Sequence, residues 1–417
     1  MQHAERKHAT SRPALLLAAA LLLVGAAGPA VAGETPAPAA QGHVRGADAP
    51  GAIDGEYIVV LNESAGPASG SARRASAPAL RHLADGLLED VGAPDARVHR
   101  TYGTVLEGFA VTADAAAARR LAALPSVAYV QQNGVEYGDG TQIDPTWGLD
   151  RIDQRSLPLD DAYGHDGGGA GVHAYVVDSG VAVGYPAFTG RASDGWDFVE
   201  DDGVAQDCHG HGTHVAGTVG SAEYGVAKDV EIVAVRVLDC ENSGTTADVL
   251  AGYDWVAANA QLPAVANVSI GGSASDVKDA GVRGMVEAGV TVTVSAGNND
   301  VSACLQSPAR ESSVLTVAAT TSSDARWASS NHGSCVDLFA PGHLIESVDL
   351  DDPFGSAVWS GTSMAAPHVT GAAALYLEGH PGATPGQVTD ALIAGTTKGA
   401  VTGAGTGSPN RLLYTRY

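Results

Sequence analysis

The 417-residue chain carries 47 acidic and 23 basic side chains, giving a formal net charge of −24 and a pI near 4.7. That balance argues against nucleic-acid or anionic-membrane binding, which depends on basic patches. At 45% hydrophobic residues the chain can bury a core, and its length allows one small domain plus one large domain.

Arg6, Lys7 and Arg12 precede an apolar run from Ala14 to Val24, and Ala30-Val31-Ala32 supplies a small-x-small cleavage pattern. Residues 1–32 therefore read as a secretory signal peptide, since the apolar run is too short to span a bilayer. The mature protein is expected to be exported and soluble, with no membrane association once the leader is removed. Residues 33–54, rich in Ala, Pro and Gly, read as a flexible link.

Over 55–140 the pattern tightens into a small α+β unit. Tyr57–Leu61 and Leu106–Val111 read as strands, Leu80–Val91 and Ala113–Leu124 as helices, and Val127–Val130 as a closing strand. These strands and helices read as parts of the β-α-β-β-α-β order of a ferredoxin-like split βαβ unit, and no catalytic set lies within it.

The character changes over 141–417. Ala174–Val177, Ile232–Val237, Val265–Ile270, Val290–Val294 and Val314–Val317 are short β-branched runs, with helical stretches such as Thr246–Asn259 and Ala274–Ala288 between them. Strands alternating with helices predict an α/β domain with a doubly wound, mostly parallel sheet. In such folds the reactive groups gather beyond the carboxyl ends of the strands, and three runs end near Asp178, Ser269 and Asn298. Cys208, Cys240, Cys304 and Cys335 are an even count in an exported chain, which points to two disulfides with three possible connectivities. Pairing neighbours in sequence, Cys208 with Cys240 and Cys304 with Cys335, is simplest; loop entropy would give each about 3.5 kcal/mol.

Ser363 stands in Gly361-Thr362-Ser363-Met364-Ala365-Ala366-Pro367-His368, where a glycine turn gives way to an apolar helical stretch. Unpaired backbone N–H groups and the helix dipole favour negative charge there, which suits a nucleophile whose attack creates an oxyanion. A hydroxyl at that junction can also be a plain helix cap. The other candidate groups decide between these readings. Asp178 ends an apolar strand, His211 sits among glycines in Cys208-His209-Gly210-His211-Gly212-Thr213-His214, and Asn298 follows Ser295-Ala296-Gly297. Three clustered histidines also suggest a metal, but no H-E-x-x-H pattern accompanies them. The α/β-hydrolase motif G-x-S-x-G is not met either, because Ala365 occupies its last position.

In the chain order Asp, His, Asn, Ser, these segments resemble the subtilisin-like serine peptidases. The resemblance rests on Val176-Val177-Asp178-Ser179-Gly180, His211-Gly212-Thr213-His214-Val215-Ala216-Gly217, Ser295-Ala296-Gly297-Asn298 and the Ser363 octapeptide. Pro145-Thr146-Trp147-Gly148-Leu149-Asp150-Arg151-Ile152-Asp153 looks like the mature N-terminus of bacterial secreted members of the proteinase K-like branch. The likeness covers about 142–417, and the unit before it resembles the family's inhibitory propeptide.

The resemblance implies a secreted serine endopeptidase with Ser363 as nucleophile, His211 as base and Asp178 as its orienting carboxylate. Asn298 and the Ser363 N–H would form the oxyanion hole. Ser269, Ile270 and Gly271 would pair with an extended substrate, with Ala296 and Gly297 as the opposite wall of a pocket for apolar or aromatic side chains. The two sequence-near disulfides look like those of the branch. Structural Ca2+ is implied at Asp337 with the carbonyls of Ser312 and Val314, and at Asp150, Asp153, Gln154 and Asp160. Ala162 stands where relatives can supply a further oxygen. The partners implied are polypeptide substrates and the chain's own propeptide, the enzyme acting as a monomer. Its Gly134–Gly140 tail would lie through the active site, with self-cleavage between Tyr137 and Thr141. The competing reading is a catalytically silent binding protein on the same scaffold.

Overall fold

The computed structural model describes residues 41–47, 52–62, 76–134 and 140–416. The expected leader, and residues 135–139 of the expected processing tail, lie outside the described residues. Two compact units are distinguished, one centred on Val59–Phe109 and Ala113–Val130, the other on Gln131–Tyr417.

The N-terminal elements run strand Ala52–Leu61, helix Ala77–Asp90, strands Arg97–Tyr102 and Gly108–Thr112, helix Ala115–Ala122 and strand Val127–Gly134. The first helix buries Leu80, Ala84, Leu87 and Leu88, a stripe at helical spacing. The second is capped by Asp114, whose carboxylate accepts the Ala117 N–H at 2.6 Å. The strand Arg97–Tyr102 escapes the sequence reading because Val98 is its only fully buried residue, among arginines and a histidine. The stretch expected as a flexible link is partly strand. Val44–Arg45 is extended and the next strand starts at Ala52, where the Ile53 carbonyl accepts from Gln132 Nε2 at 3.1 Å.

The larger unit is built on nine strands. Their order is Thr397–Lys398, Arg411–Leu412, Leu338–Pro341, Leu315–Thr320, Thr291–Ser295, Ala264–Val268, His173–Asp178, Glu231–Arg236 and Ala192–Asp197. Every pairing is parallel except that of Thr397–Lys398 with Arg411–Leu412. Both faces are covered, which is why the central strands read as unbroken apolar runs. Along His173–Asp178, Ala174 and Val176 join a core with helices His211–Gly220 and Thr362–Gly379, while Tyr175 and Val177 join one with Thr246–Asn259 and Asp276–Glu287. The chain winds to one side of His173–Asp178 first and to the other from Ala264 onward. The gap between these two strands is the topological switch point, where such sheets place their sites.

The 18-residue helix Thr362–Gly379 is buried along most of its length. Pro367 within it has no N–H for the Ser363 carbonyl. That carbonyl accepts instead from Ser269 Oγ at 2.9 Å, tying the helix start to the end of strand Ala264–Val268. Disulfides join Cys208 to Cys240 and Cys304 to Cys335, with Cα separations of 5.0 and 5.3 Å.

Candidate active site

Three adjacent strands deliver the site. Asp178 is the last residue of one, and Ser269 and Asn298 follow the next two. His211 opens helix His211–Gly220, and Ser363 is the second residue of Thr362–Gly379. Gly212 allows the imidazole to reach the strand end: a Cβ there would sit 2.1 Å from the Gly180 carbonyl.

The His211 Nδ1–H donates to Asp178 Oδ1 at 2.6 Å, which leaves Nε2 free to act as a base. Asp178 is wholly buried and its Oδ1 also accepts the Ser179 N–H at 2.8 Å. Burial disfavours the imidazolium, but the charge and hydrogen bond of Asp178, with the charge of Asp207, outweigh it. The His211 pKa is thereby raised above its ordinary 6.5.

Asp207, which sequence reasoning missed, holds this geometry. Its Oδ1 accepts from Ser179 Oγ and from the N–H groups of His209 and Gly210, each at 2.9 Å. Its Oδ2 accepts the Thr213 N–H at 2.9 Å and the Thr213 hydroxyl at 2.7 Å. One carboxylate thus satisfies the orphan donors of the helix start and fixes Ser179, whose Oγ accepts the Gly212 N–H at 3.0 Å. The available signal was an Asp placed just before a helix.

Ser363 Oγ donates to the Ser269 carbonyl at 3.3 Å. In a protein without substrate, catalytic hydrogen bonds of this kind are often made elsewhere and form only in the complex. Thr362 beside it orients Asn298: its N–H and its hydroxyl donate to Asn298 Oδ1 at 2.9 and 2.8 Å, and its Oγ1 accepts the Gly297 N–H at 3.0 Å. With Oδ1 so held, the Asn298 Nδ2 donors are left for a ligand. Asn331, also missed, pins this loop: Oδ1 accepts the Asn299 and Val301 N–H groups at 3.0 and 3.1 Å, and Nδ2 donates to the Ala296 carbonyl at 2.8 Å. Gly297 has φ +99°, and a Cβ on it would lie 2.0 Å from Gln306 Oε1. The same oxygen lies 3.9 Å from where a Gly271 Cβ would be, so Gln306 stands between the two expected pocket walls.

The remaining histidines differ from His211 in kind. Burial pushes His214 down to about 4, and its Nε2–H is shared by the Ile345 and Ala357 carbonyls at 3.1 Å each. It also stacks on Trp359, 5.3 Å between ring centroids. Burial likewise takes His368 down to about 4, its Nδ1–H donating to the Met364 carbonyl at 2.8 Å. Both are neutral structural groups.

Residues 169–411 match the model of the subtilase family, and 56–136 match that of peptidase inhibitor I9. The chain belongs to the subtilase family. An extracellular serine proteinase of Thermus sp. (strain Rt41A) is 49% identical over 377 residues, 89% of this chain and 92% of that protein. Alkaline serine exoprotease A of Vibrio alginolyticus is 44% identical, over 87% of this chain and 68% of the relative. The crystal structure of a cold-adapted subtilisin-like serine proteinase superposes with a TM-score of 0.65 at 52% identity, covering 66% of this chain and 99% of that one. The chain is a subtilisin-like serine protease preceded by an inhibitor I9 propeptide domain. No described helix is long and apolar enough to cross a membrane.

In this subtilase the expected cation ligands are only partly brought together. Among the described residues no group of three or more His, Cys, Asp or Glu side chains is placed to hold a metal ion. Asp150 is turned to the backbone, accepting the Asp160 and Asp161 N–H groups at 3.3 and 2.9 Å, and Asp160 is exposed. Asp153 accepts the Gly164 N–H through Oδ2 at 2.7 Å, while its Oδ1 and the Gln154 Oε1 are buried with no hydrogen-bond partner among the described residues. Burial raises both Asp150 and Asp153 to about 6. Two orphaned buried oxygens beside destabilised carboxylates fit a hard cation. Asp337 is raised to about 6 by burial, and its Oδ2 accepts the Thr316 N–H at 2.8 Å. Ser312 and Val314 lie just before strand Leu315–Thr320, beside which Asp337 packs through its N–H to the Thr316 carbonyl at 2.9 Å.

Proposed function

We propose that this protein is an exported endopeptidase that cleaves polypeptides through an acyl-enzyme on Ser363. The observation that carries the reading is the 2.6 Å bond between His211 Nδ1 and Asp178, made at the mouth of the sheet that also presents Ser363 and Asn298. Ser363 Oγ attacks the scissile carbonyl while His211 Nε2 takes its proton, and the imidazolium then passes that proton to the leaving amine. Asp178 keeps the imidazole in the correct tautomer and steadies its cation. The Asn298 amide and the Ser363 N–H receive the oxyanion. Water then repeats the sequence against the ester.

Ser269–Gly271 and Ala296–Gly297 carry no charge and support a pocket for apolar or aromatic side chains before the cut, with the Gln306 amide between its walls. Maturation is self-cleavage between Tyr137 and Thr141, the inhibitor I9 unit serving as intramolecular inhibitor and folding template for a slowly folding parallel sheet. Asp153 and Gln154, and separately Asp337, would hold Ca2+, which when bound supplies the positive charge these oxygens lack. Casein digestion by the mature protein tests the function. Activity should be abolished by Ser363→Ala and by a sulfonyl fluoride, and a protein that digests casein equally well as Ser363→Ala overturns the reading. N-terminal sequencing that places the mature start well downstream of Asp144 overturns the processing site.

A further inference from the structure

A cleft of about 300 Å³ opens beside Ser269, Ile270 and Gly271 and is closed by Leu238, Gly244 and Lys278. Lys278 is its only charged lining residue, in an otherwise neutral wall. The side chain comes from helix Asp276–Glu287 and reaches back over the strand end. Its Nζ would lie 3.1 Å from a Cβ built on Gly272. Lys278 is half-buried, yet among the described residues it makes no hydrogen bond and no ion pair. The carboxylates closest in sequence pair with Arg310, Asp276 Oδ1 at 2.5 Å and Asp279 Oδ2 at 2.6 Å, while Asp279 Oδ1 is buried without a hydrogen-bond partner among the described residues. Asp248, one turn into the helix that borders the cleft, accepts from Thr245 Oγ1 at 2.6 Å. Burial draws the Lys278 ammonium below its ordinary range, with Asp279 partly opposing that effect. A half-desolvated cation that makes no ion pair, and whose neighbouring Asp279 is already paired with Arg310, gains from an anion brought to it.

The substrate would bring that anion. The Ser269 carbonyl touches Ser363 Oγ at 3.3 Å, so Ser269 marks the residue at the cut. An extended chain paired with Ser269–Gly271 advances about 3.3 Å per residue and alternates its side chains. Its third residue from the cut then lies by Gly271, and the side chain of the fourth, P4, passes over the cleft. We propose that Lys278 makes this subsite select an acidic P4 side chain. This rests on the reading of Ser363 as nucleophile and of Ser269–Gly271 as the substrate-pairing segment. A pocket of this size closed by an aliphatic residue would instead favour apolar P4 groups, so Lys278 sets the sign of the preference.

The test compares blocked peptide anilides X-Ala-Ala-Phe with X as Glu, Ala or Lys. Wild-type kcat/KM should favour Glu over Lys about five- to tenfold, the scale of one partly screened charge pair, and the ratio should shrink in 0.5 M salt. Lys278→Met, which keeps length without charge, should bring the ratio near one, and Lys278→Glu should invert it in favour of Lys. A ratio that is the same in wild type and Lys278→Met overturns the proposal while leaving the endopeptidase reading intact, and so does a wild-type preference for Lys. Failure of the wild type to cleave any of the three, or cleavage that survives Ser363→Ala, overturns both.

Discussion

Two regions of the larger unit bury carboxylates, and they solve the same electrostatic problem in opposite ways. Around His211 the protein supplies most of the donors itself: Asp207 accepts five hydrogen bonds, and Asp178 Oδ1 accepts from the His211 imidazole and the Ser179 N–H, leaving Asp178 Oδ2 as the one oxygen of this pair without a partner among the described residues. Around Asp153 the donors run out after the Gly164 N–H, and Asp153 Oδ1 and Gln154 Oε1 stay buried without a hydrogen-bond partner among the described residues. A buried charge that must be present throughout the reaction is held by fixed dipoles, which need no reorganisation. A charge whose work is structural can be left to a cation from an extracellular medium, at the cost of making stability conditional on that cation.

The comparison is broken most severely at the catalytic end. Ser363→Ala and His211→Ala should each lower casein hydrolysis by at least about 10⁴-fold, and the double mutant should be little worse than either single one. Additive losses in a rate assay would show that the two residues do not act as a unit. Asn298→Ala should cost about 10²–10³ in kcat with KM little changed, the magnitude known for the corresponding amide in subtilisin. An effect confined to KM would assign Asn298 to ground-state binding.

Asp207 and Asp153 sharpen the contrast through stability. Asp207→Ala leaves five donors without their acceptor and should cost about 3 kcal/mol, lowering Tm equally with calcium and with EDTA. Asp153→Asn should lower Tm in calcium and narrow the difference between calcium and EDTA to the part contributed at Asp337. The reverse pattern in paired melts would move the cation to the catalytic side.

The smallest effect is in pH. The pKa values of Asp150 and Asp153 are raised to about 6 from 3.8, so the folded state binds more protons than the unfolded chain between these values. Stability in EDTA should therefore fall as pH rises from about 4 to above 6, and the Tm gap between calcium and EDTA should widen over that interval. His211 points the other way for activity: its raised pKa places the acidic limb of kcat/KM above pH 6.5. A gap that stays constant with pH, or an activity limb below pH 6, contradicts these assignments.

Much of this architecture was legible because a parallel sheet covered on both faces writes itself as β-branched runs. All five expected runs are strands of the nine-stranded sheet, and helix Thr246–Asn259 runs between the residues expected. The edge strand Ala192–Asp197 was not legible, since Ala-Ser-Asp-Gly-Trp-Asp is half-exposed and carries no apolar run. In the proposed site, Asp178, His211, Asn298 and Ser363 were readable as candidates from motifs whose chemistry constrains residue type. Asn331, Gln306 and Lys278 were not, because each acts across the fold on a loop distant in sequence, and a lone polar residue carries no local signal of its partner. For the residues proposed to hold a cation, only the folded backbone shows that Asp150 is taken up by N–H groups while Asp153 Oδ1 and Gln154 Oε1 are left without partners among the described residues.

The central claim is that Ser363, activated by His211 on Asp178, is the nucleophile. Mass spectrometry of mature enzyme titrated with phenylmethylsulfonyl fluoride tests it most directly. The account predicts a single adduct on Ser363, formed in proportion to lost casein hydrolysis and nearly absent in His211→Ala. Full activity in a protein carrying that adduct, or inactivation with the adduct on another residue, would contradict it.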